Sequence, residues 1–256
     1  MNVTGASTAR NVMSEDDNTQ TGDTSAVKHK YGRINKEYAM QLATCAPEAD
    51  GPIYMVNLMK YFEVAQYDDS SAPAISGREA DDKYNPASVL NKIGASIVFV
   101  ADVLDDHVGD EDWDRIAIVR YATRLSFIEM QSRKDFGEKH VHKAAGMLRT
   151  TLLASRPLDE SLDKRDRPQP LELRYLVMVV RQTTDRESVL ASIPESVSFT
   201  VEGTVLSDGR FWDTVQLIPV ATQSAADELA ATLSHLAPES SYVMTLRASI
   251  DGLTAA

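Results

Sequence analysis

The feature that most constrains this chain is a series of strand and helix signals that occurs twice in the same order. In the first pass, residues 53–61 (IYMVNLMKY) form a near-continuous apolar run of strand length behind the breaker Gly51-Pro52. Residues 77–93 carry Ala80, Tyr84, Ala87, Val89, Leu90 and Ile93 on a helical pattern that Pro86 kinks or breaks in two and Gly94 ends. The β-rich stretches 96–104 and 113–121 flank an acidic loop (DDHVGDED), which predicts an antiparallel hairpin. Two helical pieces at 124–130 and 136–145, with Gly146 as C-cap, lead to a further strand at 148–154. The second pass places strands at 173–180, 197–206, 211–220 and 242–250 and helices at 185–193 and 224–236. Trp113-Asp114 and Trp212-Asp213 open the third strand of each pass, and the second strand ends in Val-Leu both times, at Val103-Leu104 and Val205-Leu206. These matches predict an internal duplication.

The order β-α-β-β-α-β is the split β-α-β plan of ferredoxin-like folds, in which two helices cover one face of a four-stranded sheet and leave the other open. The expected class is α+β: two tandem ferredoxin-like βαββαβ modules packing as an intrachain α+β barrel, each burying the other's open face. The chain is then a monomer built as a pseudo-dimer, or a homodimer of such chains. Residues 1–27, dominated by Ser, Thr, Asn, Asp and Gly, read as a disordered tail. A short helix over 34–46 follows, read from Ile34, Tyr38, Leu42 and Cys45. The first module spans 28–155, a charged, proline-bearing linker 156–170, and the second module 171–256.

The stretch GPIYMVNLMKY, Ala65-Gln66-Tyr67, Ser76-Gly77-Arg78-Glu79-Ala80, Tyr84, Gly94, Trp113-Asp114, Tyr121, Phe127, Met130 and His142-Lys143-Ala144-Ala145-Gly146 resembles domain-of-unknown-function family 1330, of the dimeric α+β barrel superfamily. The resemblance covers residues 34–154. It departs at Asp81, where an aromatic is usual, at Ala122 for a common proline, and at Lys143 for arginine. The second half keeps Trp212-Asp213 but has no counterpart of Asn57 or of the His142-Lys143 pair, so any chemistry is expected in the first. The superfamily includes cofactor-free monooxygenases, lactone isomerases, polyketide cyclases, haem enzymes and non-catalytic stress proteins, so the resemblance implies fold and leaves the reaction open.

Charge and composition exclude several classes. Lys plus Arg is 26 against 38 Asp plus Glu, a net charge of −12, which opposes contact with nucleic acid. No apolar stretch has the length of a signal peptide or membrane span, and the single cysteine, Cys45, forms no internal disulfide; the expected location is cytoplasmic, without membrane contact. No phosphate loop, G-x-S-x-G elbow or H-E-x-x-H is present. His140 and His142 stand about 200° apart on a helix and do not form one metal site. Haem needs an axial histidine, for which His142 and His235 are the histidines on core-facing helices. The expectation is no metal and no cofactor.

On the first strand Asn57 is the polar member of a face with Ile53, Met55, Met59 and Tyr61, and a buried amide needs a partner in the protein or in a ligand. On the third strand Trp113, Arg115, Ala117, Val119 and Tyr121 share a face, with Tyr121 presenting its hydroxyl at the strand end. His142 is the candidate acid/base, Tyr84 and Tyr121 its proton partners, and Asn57 a donor to an oxyanion or carbonyl. Lys143 and Arg149, within a basic cluster that includes Arg133, Lys134 and Lys139, are candidate anion anchors. Glu79, Arg115, Met55 and Phe127 complete the expected substrate contacts, Glu79 alternatively serving the helix macrodipole. The expected function is a cofactor-independent lyase or isomerase using acid/base chemistry on a small organic acid or phenolic substrate. The alternatives are a cofactor-free monooxygenase and a non-catalytic ligand-binding or stress-response protein.

Overall fold

The computed structural model describes residues 31–69, 72, 74–163, 172–193 and 196–254; the tail expected at 1–27 lies outside them. In chain order the elements are β1 (Arg33–Ile34), α1 (Lys36–Ala43), β2 (Ile53–Tyr61), α2 (Gly77–Tyr84), α3 (Ala87–Lys92), β3 (Ser96–Val108), β4 (Arg115–Tyr121), α4 (Arg124–Ser132), α5 (Lys134–Gly146), β5 (Met147–Pro157), β6 (Arg174–Arg181), α6 (Arg186–Ala191), β7 (Val197–Ser207), β8 (Thr214–Val220), α7 (Gln223–Thr232) and β9 (Ser241–Asp251). The helix expected over 77–93 is divided at Asn85-Pro86, where proline denies the backbone a donor. No described helix is long and apolar enough to cross a membrane.

The strands form one closed antiparallel barrel and correct the expected fold class. Eight strands follow the order β7-β5-β2-β4-β3-β9-β6-β8, and β8 pairs back onto β7 from Val197↔Leu217 to Thr200↔Thr214. Two tandem ferredoxin-like modules pressing separate sheets together would leave four unpaired sheet edges. Instead β3 is hydrogen-bonded to β9 from Phe99↔Asp251 to Val108↔Val243, and β5 to β7 from Leu152↔Leu206 to Pro157↔Phe199. Joining edges satisfies backbone N–H and C=O groups that a separate sheet exposes, which is why closure wins.

Alternation along each strand then decides what lies inside. Tyr54, Val56 and Leu58 of β2 and Ile116 and Ile118 of β4 fill the barrel with Phe99, Leu176, Met178, Phe199 and Met244. Trp113 precedes β4 and packs inward, its ring 5.6 Å from that of Tyr242, with Trp212 at 4.6 Å on the same tyrosine. The expected placing of Trp113 on the Arg115–Tyr121 face is therefore corrected. Both Trp-Asp corners make matching bonds: Asp114 N–H donates to Met59 O and Asp213 N–H to Arg181 O, each at 2.9 Å.

The proposed linker at 156–170 begins as structure. Residues 156–157 finish β5, and Glu160–Asp163 form a 3-10 turn with Leu162 buried and Asp163 accepting the Tyr54 hydroxyl at 3.0 Å. Helices lie outside the barrel. Over the second half, α7 brings Ala226 and Ala230 onto Val177, Val179 and Val243, and these small side chains let the helix pack closely. Over the first half, larger side chains on α2, α4 and α5 meet the outward residues of β2 and β4.

Candidate functional site

Between the outer wall of the first half and its helices lies a cavity of about 690 Å³. β2 contributes Met55, Asn57 and Met59, and β4 contributes Arg115, Val119 and Tyr121, because odd-numbered positions of both strands point away from the barrel. Phe127 and Met130 enter from α4, and Phe136, His140 and Lys143 from α5. Exposed Asp82, Asn85 and Ser132 belong to the lining, so the cavity reaches the surface between the α2–α3 and α4–α5 junctions.

The crossing of α2 and α5 fixes this geometry. A Cβ on Gly146 would lie 2.3 Å from Gly77 O, and one on Gly77 would lie 2.4 Å from Gly146 O. The Phe62 N–H donates to Gly146 O at 2.9 Å and the Gly77 N–H to Phe62 O at 3.0 Å, which locks the contact to the end of β2. Gly146 is thus a contact residue at the last helical position, where a C-cap was expected.

Seven of the ten residues expected at the site line the cavity: Asn57, Tyr84, Tyr121, Met55, Phe127, Arg115 and Lys143. His142, Glu79 and Arg149 do not. His142 Nδ1 is 2.9 Å from the Tyr67 hydroxyl, and His142 is not among the residues that line the cavity. Glu79 completes a capping box with Ser76, and those hydrogen bonds hold its exposed carboxyl below the ordinary range. Arg149 donates to Asp112 and stacks 5.4 Å from the Trp113 ring, near the acidic segment after β3. The expected basic patch is largely paired: Arg133 and Lys92 with Asp135, Lys134 with Glu138, and Lys139 with the Asn85 carbonyl. His235 lies exposed beyond α7, its Nδ1 3.0 Å from Thr232 O.

The residues inside differ in how much of their bonding capacity is used. Arg115 donates to Asp82 at 2.8 Å and Asp81 at 3.3 Å, which engages its charge. The Tyr61 hydroxyl donates to Asp81 at 2.6 Å; burial, reinforced by the Asp81 charge, pushes that phenol up. Tyr121 donates to Met130 Sδ at 3.2 Å, and burial raises its pKa too. Asn57 donates its amide to Met55 O at 3.1 Å and Ala117 O at 3.3 Å, while its Oδ1 accepts no hydrogen bond among the described residues. The Tyr84 hydroxyl makes no hydrogen bond there either, and burial, followed by the charges of Tyr121, Tyr31 and Asp81, holds it well above the usual phenol range. Lys143 holds its ammonium 5.3 Å from the Tyr84 ring centroid and forms no ion pair among the described residues. Burial lowers its pKa, against the raising influence of Asp81.

Tyr31, His140 and Asp81 also belong to the lining, beyond the residues expected from the sequence. Tyr31 and His140 are buried and joined, hydroxyl to Nε2, at 2.9 Å. Asp81 and Tyr61 form the pair described above. The signal for His140 was present: Phe136, His140 and Lys143 stand at i, i+4 and i+7, one face of α5, and Phe136 is the apolar member that marks it as inward. Tyr31 carries no comparable signal, since it precedes every periodic segment. Among the described residues no group of three or more His, Cys, Asp or Glu is arranged to hold a metal ion.

No family model matches the chain, and no curated protein does. Among solved structures, the RPA0582 protein of unknown function from Rhodopseudomonas palustris is similar at 27% identity, covering 50% of this chain and 98% of its own, with a TM-score of 0.43. The structure of methylated RPA0582 gives 28% identity, 50% and 97% coverage and a TM-score of 0.43.

Proposed function

We propose that this chain is a cofactor-independent enzyme, of lyase or isomerase type, that moves a proton on a small organic molecule with an apolar body and one oxygen-bearing end, organic acids and phenols among them. The observation that carries the reading is the convergence of Lys143, Tyr84 and the Asn57 oxygen, all with unused capacity, in a cavity whose walls are mainly Met, Phe, Leu, Ile and Val with a few polar groups. Its volume lies within the roughly 300–1,000 Å³ range of small-molecule sites. Lys143 meets the oxygen-bearing end, Tyr84 donates to it, and the Tyr31–His140 pair exchanges the proton, a task for which an imidazole is suited near neutral pH. The partner is this small molecule. A cytoplasmic location accords with the lone unpaired Cys45. The resemblance to domain-of-unknown-function family 1330 is part of the same proposal.

The test is deuterium uptake. Panels of small keto acids, aldehydes and phenols are incubated with the protein in D2O, and loss of the exchangeable C–H signal is followed by NMR. The reading expects catalysed exchange on at least one compound, lowered roughly 10²-fold or more in His140→Ala and unchanged in His142→Ala. Binding of panel members without exchange on any would instead favour a non-catalytic ligand-binding protein. A specific observation lends weight to that second reading: the Asn57 amide and His142 are both engaged by protein groups.

A further inference from the structure

We propose that Lys143 captures an aldehyde or ketone as an imine, so that the substrate class is a carbonyl compound with an apolar body; this deepens the acid/base reading above and rests on the same cavity. The geometry carries it. Lys143 belongs to the cavity lining, and its Nζ stands over the Tyr84 ring; among the described residues neither this amine nor the Tyr84 hydroxyl has a carboxylate or carbonyl partner. An anionic ligand fits less well. The nearby cation, Arg115, is already held by Asp81 and Asp82, and a ligand carboxylate entering here would be desolvated against one ammonium and repelled by Asp81. A neutral carbonyl meets neither obstacle, and burial, by lowering the Lys143 pKa, raises the fraction of free amine.

The step balances within the site. The Nζ lone pair attacks the carbonyl carbon, the C–N bond forms, and the carbonyl π pair moves to oxygen, which takes a proton from Tyr84. The carbinolamine nitrogen returns a proton to Tyr84, and its hydroxyl leaves as water with a second proton from the same nitrogen. The net change is amine plus carbonyl to imine plus water. As an imine, the substrate acidifies its neighbouring C–H, the bond that a lyase or isomerase must break.

The test uses naphthaldehyde with cyanoborohydride, which reduces an imine to a stable secondary amine, and peptide mass mapping of the full-length protein. The expected result is a naphthylmethyl adduct on Lys143 formed at least about tenfold faster than on any other lysine, because the cavity holds the aldehyde beside this amine alone. Naphthylmethanol, which lacks the carbonyl, is titrated in parallel and read by the methyl signals of Met55 and Met130 in the cavity. Adducts spread evenly over the lysines, with naphthylmethanol still shifting those methyl signals, would overturn imine capture and leave the cavity reading standing. No Lys143 adduct together with no naphthylmethanol response would overturn both. Lys143→Met should lose the dominant adduct, and because the decisive mapping is done on the unaltered protein, misfolding of that variant does not spare the proposal.

Discussion

Asp106, near the end of β3, shows how one side chain outside the cavity sets a measurable property. Burial lifts its carboxyl to a pKa of about 6, opposed by the Trp113 N–H that donates to Oδ2 at 3.2 Å and reinforced by Asp112. Its Oδ1 is buried without a hydrogen-bond partner among the described residues. A carboxyl whose folded pKa is raised contributes stability fully below its unfolded value and loses that contribution as pH rises through the folded one. Asp106→Asn keeps an acceptor for Trp113 and removes the charge. It should therefore melt higher than the unaltered protein near about pH 8 and lose that advantage near about pH 4. Thermal melts at both values decide it, and an equal difference at both would contradict the assignment. Asn57 was legible at this scale because it interrupts an apolar strand face, and Tyr84 because it brings a hydroxyl into the apolar pattern of a helix. Lys143 was legible as a member of a basic cluster and of the family-like His142-Lys143 segment, whereas its burial and its lack of an ion partner among the described residues are properties of the fold.

At the scale of elements, α5 is the decisive one. Sequence periodicity predicts its existence and nearly its length, yet His140 and His142 differ only in phase, and phase is set by the docking of Gly146 on Gly77. That contact turns Phe136, His140 and Lys143 inward and leaves His142 against Tyr67. Gly146→Ala forces a methyl against the Gly77 carbonyl and should cost about 1–3 kcal/mol as overpacking, with naphthylmethanol binding weakened because α5 shifts. Denaturant melts with the binding titration check this; an unchanged stability would show that the crossing has slack. The break at Pro86 and the β3–β4 hairpin were legible for a different reason, since local backbone chemistry alone dictates them.

At the scale of the whole molecule, the joining of the two halves was not legible. The β3–β9, β5–β7 and β7–β8 pairings use backbone groups that every residue carries, so edge-to-edge closure leaves no side-chain signature. The doubled element order was readable, while the single barrel it closes into was not. Closure also separates two apolar compartments: an interior packed with side chains, and an outer layer that is filled under α7 and hollow under α2, α4 and α5. Methionines report on both. Met55, Met59 and Met130 line the cavity, whereas Met178 and Met244 lie inside the barrel. Titrating naphthylmethanol into protein labelled with carbon-13 at the methionine methyls measures directly whether the outer cavity is a binding site. Shifts confined to Met55, Met59 and Met130, with Met178 and Met244 unmoved, are the predicted result; shifts at Met178 and Met244, or at none of the five, would contradict it.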